Sequence, residues 1–224
     1  MSMLSNLELI RRVPLFALLT AVQAESVAAA VTKRRFKRGE MIVEQGEKSN
    51  TLFIILTGRV RVVTTDKRGR EVILATLQPG DYIGEMSLID NEPHSATCRA
   101  EIQTDMLVLG RAEFARCLPE NSSMAYAVMK GLVQRLRQAD RKIESLALMD
   151  VYGRVARALL EFAKPDLDGV MTIRDKISRQ DVAKMVGASR EMVSRVMKDL
   201  EDRGFIETQT DGSMIVKDRL NTLG

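Results

Sequence analysis

The sequence has two cysteines and one histidine in 224 residues, and neither Cys98 nor Cys117 sits in a CxxC or Cys/His cluster. This scarcity argues against a disulfide framework, a zinc site or an iron–sulfur centre, and leaves both thiols as buried or half-buried packing groups. A lone histidine, His94, makes no Ser/His/Asp or Cys/His constellation. With no Walker or metal-binding motif beside it, nothing supports an enzyme. No run approaches the roughly 18 apolar residues that span a bilayer, and the opening MSMLSNLELIRRVPLF lacks an uninterrupted apolar core with a small-residue cleavage site. A cytoplasmic chain without membrane contact is expected. No exact repeat is present, so a solenoid or propeller is not expected either.

What is present is the balance of a packed protein, 45% hydrophobic and 29% charged, in a length that suits two modest domains. The formal charge of +4 permits nucleic-acid binding without requiring it. Residues 151–224 carry 13 Lys+Arg against 12 Asp+Glu, so the placement of charges has to carry the argument.

Residues 4–32 have helical apolar spacing, broken at Pro14 and ending in an Ala-rich stretch before Lys33-Arg34-Arg35. Short leading helices are predicted. From Phe36 to Leu109 the texture changes to β-branched, apolar runs: MIVEQG, TLFIILTG, RVRVVTT, EVILATL and TDMLVLG. The dipeptides Arg38-Gly39, Gln45-Gly46, Thr57-Gly58, Arg68-Gly69 and Pro79-Gly80 recur among them, which is the rhythm of an antiparallel barrel or jelly roll.

After Pro119 the period is helical, and Ala125, Met129, Leu132, Leu136, Ala139, Ile143 and Leu146 alternate by four and three. That heptad seam predicts a parallel dimer helix; an amphipathic helix lying on its own domain is the alternative. The seam ends around Asp150 to Arg154, where RVARALLEFA opens a second domain, followed by a loop at Asp166, Asp168 and Gly169. Two helices then flank Val186-Gly187-Ala188, and FIETQT and SMIVKD form a hairpin at Asp211-Gly212. Helix, turn, helix and hairpin in that order is the winged form of a DNA-binding motif. The division is 1–118, 119–149 and 150–224.

Ser178-Arg179-Gln180-Asp181 has the capping-box form, with Ser178 placed to accept the backbone N–H of Asp181. Val182, Ala183 and Val186 give that helix a buried face, Gly187 permits a left-handed bend, and Ser189 is placed to cap the next helix. Met192, Val193, Val196, Met197 and Leu200 are expected on the inner side of this second helix. Arg190, Glu191, Ser194 and Arg195 are left outside on its first turns. Arg190 and Arg195 suit the bidentate contact to guanine O6/N7 and Glu191 can accept from cytosine N4, which predicts G·C-rich half-sites. Ser178, Arg179, Gln180 and Ser189 are expected at the DNA backbone. The competing explanation is a solvated charged face with a helical salt bridge.

From about residue 10 to the end, the chain resembles the Crp/Fnr family, the cyclic-AMP receptor and its relatives. The resemblance is strongest in SRQDVAKMVGASREMVSRVMKDLEDRGFI, GDYIGEMSLIDNEPHSATCRA and DVYGRVARALL. It implies an α+β architecture: an N-terminal cyclic-nucleotide-binding β jelly roll, a long dimerisation helix and a C-terminal winged helix-turn-helix. It further implies a homodimer reading a palindrome of TGTGA-like half-sites through Arg190, Glu191 and Arg195, with RNA polymerase as a partner. The effector is expected to be a cyclic nucleotide, and no metal or covalent cofactor is implied.

Within that resemblance, Gly84 to Asp90 followed by Pro93-His94-Ser95-Ala96 looks like the phosphate-binding cassette, whose helix start favours a phosphate. Gly84, Glu85, Met86, His94 and Ser95 are thus effector-site candidates. Glu85 aligns with the carboxylate that holds the ribose hydroxyl, and Ser95 with the phosphate-binding serine. Three positions depart. His94 stands where the family has a phosphate-pairing arginine, and Ala139 and Asp140 stand where a threonine and a serine contact adenine from the dimer helix.

A neutral imidazole lacks the permanent charge and fork of a guanidinium, so cyclic AMP is expected to bind less well. Asp140 can accept from the N1–H and exocyclic amine of guanine, which favours a guanine-type effector such as cyclic di-GMP, with Arg135, Arg137 and Arg141 nearby. Other readings stay open. Asp140 could pair with Arg137 or Lys142 beside a degenerate pocket in a constitutive DNA-binding regulator, or the chain could be a nucleotide-binding module acting on a protein partner.

Overall fold

The computed structural model describes residues 5–17, 19–117, 122–166, 168–217 and 219–220, and the chain divides into two compact units, Met1–Leu136 and Arg137–Gly224. Pro119 lies outside the described residues.

The predicted leading helices are α1 (Asn6–Ile10) and α2 (Ala21–Ala30), each opened by a reciprocal capping box, Ser5 with Glu8 and Thr20 with Gln23. Pro14 starts a 3-10 turn between them, where its fixed φ fits and its missing N–H is not needed. The helical stretch ends sooner than its composition suggests. Lys33, Arg34 and Arg35 belong to strand β1 (Thr32–Phe36), whose first four residues are exposed and whose last, Phe36, is fully buried. β1 is a sheet edge, where charged side chains sit in solvent and discourage pairing with another chain; its consecutive charges hide the strand from a period-two reading.

Seven further strands complete two antiparallel four-stranded sheets. They are β2 (Met41–Val43), β3 (Thr51–Thr57), β4 (Val60–Thr65), β5 (Glu71–Leu77), β6 (Tyr82–Ile83), β7 (Thr97–Ala100) and β8 (Thr104–Gly110). The orders are β1-β8-β3-β6 and β2-β7-β4-β5, the expected jelly roll. Strand β3 explains its own unbroken run TLFIIL. Leu52 and Ile54 enter the core shared with the leading helices, while Phe53 and Ile55 enter the interior between the sheets. A strand covered on both faces has no polar side to show. Cys98 lies in the inter-sheet core, where burial pushes its thiol up to about 12 and leaves it unreactive; the side chain of Cys117 lies outside the described residues.

Helices α3 (Glu85–Asp90) and α4 (Arg111–Cys117) interrupt and follow the sheets, and α5 (Ser122–Leu148) runs 27 residues. The first part of α5 is seated on the jelly roll through Val128, which is 3% exposed and whose carbonyl accepts the Tyr82 hydroxyl at 3.2 Å. Gly131 makes this seating possible. A Cβ there would lie 2.0 Å from the Tyr82 hydroxyl, which accounts for a glycine inside a helix despite its cost of about 1 kcal/mol.

The second unit contains α6 (Val151–Phe162), opened by Asp150, whose carboxylate accepts the Gly153 N–H at 2.8 Å. The segment expected to be only a loop is a hairpin of β9 (Lys164–Pro165) and β10 (Met171–Ile173), with Asp166 accepting the N–H groups of Asp168 and Val170 at 2.9 Å each. Two- and three-residue strands are too short to show a period. Helices α7 (Arg179–Val186) and α8 (Arg190–Asp202) follow, then the predicted hairpin of β11 (Ile206–Thr208) and β12 (Met214–Val216). The four strands form one sheet in the order β11-β12-β10-β9, and Val155, Leu159, Val193, Leu200, Ile206 and Val216 lie in the core of this unit.

Candidate functional site

The helix-turn-helix is built by its caps. The Ser178 hydroxyl accepts the Asp181 N–H at 3.0 Å and opens α7; Gly187 ends it at φ 64°, and the Ser189 hydroxyl accepts the Met192 N–H at 3.2 Å to open α8. Val193, Val196, Met197 and Leu200 form one buried stripe at i, i+3, i+4 and i+7. Met192, expected on this inner side, is 39% exposed instead. It precedes Val193 by about 100° around the helix, which carries it off the stripe.

Glu191 and Arg195 are exposed opposite the stripe, Arg190 is exposed at its N-terminal end, and Ser194 is half-buried. Helical spacing adds a residue that the sequence reading omitted: Lys198, exposed, falls between Arg190 and Arg195 in projection. The signal was its distance of eight residues from Arg190. Glu191 is held below the usual carboxylate range by its own backbone N–H and the Ser189 hydroxyl, then by Arg190 and Arg195. It is therefore an acceptor at neutral pH. Ser178, Arg179, Gln180 and Ser189 are exposed at the starts of the two helices. The Ser178 hydroxyl, having accepted a backbone N–H, retains its own O–H to donate, whereas the O–H of Ser189 is directed to the Glu191 carboxylate.

The second candidate region is a cleft in the first unit, lined by Gly84, Glu85, Met86, His94, Ser95 and Arg135 with a wall of apolar side chains, and holding about 410 Å³ of space including its solvent-open part. Gly84 turns the chain into α3 at φ 96°, and a Cβ there would lie 2.4 Å from the Thr51 carbonyl oxygen, so only glycine fits.

Glu85 is 1% exposed, and its partner is Arg135 of α5. Arg135 also donates to the Tyr82 carbonyl oxygen, with its guanidinium 5.0 Å from the centre of the Tyr82 ring. Burial pushes the Glu85 carboxyl up, and Arg135 opposes that push. Among the neighbouring arginines the sequence singled out, Arg135 reaches the cleft; that it does so as the counter-ion of Glu85 was not legible, because the two lie 50 residues apart.

His94 is 7% exposed and engaged at both ring nitrogens, Nδ1 with the Ser87 hydroxyl at 3.1 Å and Nε2 with the Ser49 hydroxyl at 2.8 Å. Burial pushes its pKa down, so it is a neutral imidazole that donates through one nitrogen and accepts through the other. Ser95 and Met86 are exposed at the cleft margin. Ala139 and Asp140 are exposed on α5 and are not among the lining residues. Lys142, a partner considered for Asp140, is half-buried; burial pushes its ammonium down, with Glu161 opposing.

Along α5 the proposed seam is uneven. Met129, Leu136, Ile143 and Leu146 are 56%, 62%, 65% and 57% exposed, whereas Leu132 is half-buried against the core of the jelly roll. Tyr126 and Val133, outside the predicted seam, are also exposed, at 60% and 49%. Among the described residues, no group of three or more His, Cys, Asp or Glu is placed to hold a metal, and no helix is long and apolar enough to cross a membrane.

A jelly roll with a polar cleft in a chain that ends in a winged helix-turn-helix defines the class of ligand-responsive DNA-binding regulators. Residues 33–121 match the cyclic nucleotide-binding domain, and residues 153–220 match the Crp-like helix-turn-helix domain. The chain is 35% identical to the cAMP-activated global transcriptional regulator Vfr of Pseudomonas aeruginosa over 83% of its length and 89% of that protein. It is 36% identical to the cAMP-activated regulator CRP of Salmonella typhimurium, over 74% of this chain and 80% of that one. Among solved structures, the c-di-GMP responsive global regulator CLP of Xanthomonas campestris superposes with a TM-score of 0.76 at 26% identity, covering 88% of this chain and 98% of that one. The chain belongs to the Crp/Fnr family of transcription regulators, and it is a regulator rather than an enzyme.

Removing Arg135 strands a buried carboxylate. Arg135→Ala is expected to cost about 3 kcal/mol at neutral pH, the low end for breaking a buried pair because Arg135 is 34% exposed. A carboxyl with a raised folded pKa loses stability as pH rises through that pKa, and Arg135 limits this loss in the parent. The deficit of the variant should therefore shrink as pH falls toward 5. Urea unfolding of parent and variant across that range measures it; a deficit independent of pH would contradict the pairing.

Proposed function

We propose that the chain acts in the cytoplasm as a homodimeric, sequence-specific regulator on a palindromic operator with TGTGA-like half-sites. In this reading RNA polymerase is a further partner, and a purine nucleotide in the jelly-roll cleft gates DNA binding. The functional division is 1–118 for effector binding, 119–149 for dimerisation and 150–224 for DNA reading.

The observation that carries the DNA reading is the exposure of Arg190, Glu191 and Arg195 at the start of a capped α8 whose opposite stripe is buried. Such a helix can lie in the major groove with its first residues at base edges, the arginines toward guanine and the carboxylate toward cytosine N4. Arg179, Gln180 and the two capping serines are assigned to phosphate, which helix N-termini favour. Lys198 adds charge on the same face.

Dimerisation is assigned to Met129, Leu132, Leu136, Ala139, Ile143 and Leu146. The support is the row of exposed Met129, Leu136, Ile143 and Leu146, apolar side chains that water should not face so regularly along one helix. Two recognition helices about 34 Å apart are needed to fit successive major grooves, so a ligand that alters their spacing switches binding.

For the effector, a guanine-type ligand such as cyclic di-GMP is preferred over cyclic AMP. Asp140 can accept twice from guanine, Ala139 offers adenine no hydrogen bond, and His94 brings no charge to a phosphate. Gly84, Glu85, Met86, His94 and Ser95 form the cleft side of this site. The structural relative CLP is c-di-GMP responsive, while Vfr and CRP are cAMP-activated. The pairing of Glu85 with Arg135 favours one second reading, a constitutive regulator whose cleft is degenerate.

Arg190→Ala should weaken binding to the preferred duplex by about 1–3 kcal/mol and relax base choice at one position, while Arg179→Ala should weaken all sequences alike. Sequence-resolved binding profiles of both variants test the assignment, and identical profiles would contradict it. Leu136→Asp, which puts charge into the seam, should give monomers that lose palindrome binding. A variant still dimeric in sedimentation would place the interface elsewhere.

A further inference from the structure

A cyclic nucleotide carries a phosphate charge into a cleft whose inner wall is apolar, from Val43, Val62, Leu77, Ile83, Ala96 and Cys98. An anion drawn out of water against such a wall needs a cation beside it. His94, where the family resemblance places a phosphate-pairing arginine, does not supply one. The ring is 7% exposed and engaged by the protein itself, Nδ1 with the Ser87 hydroxyl at 3.1 Å and Nε2 with the Ser49 hydroxyl at 2.8 Å. Its backbone is tied down as well, the N–H donating to the Glu47 carbonyl at 2.8 Å and the carbonyl accepting the Gly46 N–H at 2.9 Å. His94 has become a neutral brace between α3 and the segment before β3.

Among the described residues that line the cleft, the permanent cation is Arg135. A guanidinium presents five N–H donors in a planar fork. Arg135 gives one to the Glu85 carboxylate and one to the Tyr82 carbonyl oxygen, and its side chain is 34% exposed, so donors remain for a ligand while both bonds stand. The Tyr82 ring, its centre 5.0 Å from the guanidinium carbon, supports the group from one face. Glu85 has capacity left too, because a carboxylate offers about four acceptor sites on its two oxygens.

We infer that Arg135 of α5 takes over the phosphate pairing that the cassette has given up, sharing its guanidinium between Glu85 and a cyclic phosphodiester whose ribose 2′-hydroxyl Glu85 accepts. This rests on the reading of the cleft as the effector site and deepens it. The 2′-hydroxyl is free in 3′,5′-cyclic mononucleotides and in cyclic di-GMP alike, so the arrangement serves either. It also moves charge recognition from the cassette to α5. The side chain that meets the effector is one that, with Tyr82 and Val128, seats this helix on the jelly roll, so the ligand acts on the helix without an intermediary.

The test is calorimetric titration of the full chain with cyclic AMP, cyclic GMP and cyclic di-GMP, followed with the ligand that the parent binds tightest. The variants are made on Glu85→Gln, where no buried carboxylate is left stranded when Arg135 is changed. Glu85→Gln alone should stay within about tenfold of the parent, since the glutamine carbonyl still accepts and the guanidinium is released to the phosphate. Adding Arg135→Gln should weaken binding at least about a further tenfold, the loss of one charged hydrogen bond. Adding Arg135→Lys instead, which keeps the charge but not the fork, should cost clearly less.

Three results overturn the inference and leave the cleft as the effector site: loss of all binding in Glu85→Gln, unchanged affinity on adding Arg135→Gln, or equal losses from Arg135→Gln and Arg135→Lys, which would make the contribution one of shape rather than charge. A parent chain that binds none of the three ligands overturns the inference together with the reading of the cleft.

Discussion

The ion pair between Glu85 and Arg135 is the interaction on which the jelly-roll unit turns. Glu85 opens α3 in a position that is 1% exposed, where a carboxylate without a partner would not be tolerated. The cation comes from α5, so the requirement of one buried charge fixes where that helix lies on the jelly roll. Tyr82 gathers the supporting contacts: its carbonyl accepts from Arg135, its ring lies under the guanidinium, and its hydroxyl donates to Val128. The notch at Gly131 leaves room for that hydroxyl. With Val128 and Arg135 turned inward, Met129 and Leu136 are turned outward. The same pair thus shapes the electrostatics of the cleft and decides which apolar side chains this part of the helix leaves exposed.

The winged unit reaches its geometry by a different economy. Among its described residues no charged side chain is fully buried, and three caps open its helices. Asp150, Ser178 and Ser189 each satisfy a backbone N–H that a helix start leaves open, and Gly187 supplies the one left-handed residue in the turn. Once Val193, Val196, Met197 and Leu200 are packed, Arg195, Lys198 and Asp199 between them are left pointing outward. The exposed face of α8 is in that sense the remainder of its packing. Its chemistry comes from the choice of arginine and glutamate for positions that packing leaves free.

Much of this was legible in the sequence, because caps, glycine turns and apolar stripes are local signals. The jelly-roll strands β2 to β5 and β8, the turn at Gly187 and the hairpin at Asp211-Gly212 all announce themselves within a few residues. The misses share one cause, which is that their evidence is not local. β1 looks like a basic tail until its pairing with β8 is seen, and β6, β7, β9 and β10 are too short to show a period. Met192 is apolar enough to suggest burial, yet helical geometry carries it off the stripe. The partner of Glu85 lies far away on another element, and the two hydroxyls that engage the His94 ring come from separate segments, at Ser49 and Ser87.

Selection of duplexes from a random-sequence pool by the full chain asks whether α8 reads base edges. If it does, the pool is enriched in an inverted repeat of TGTGA-like half-sites, with guanines at the positions the arginines face and half-site centres about one helical turn, some 34 Å, apart. Recovery of duplexes with no shared pattern, bound only through their charge, would contradict it.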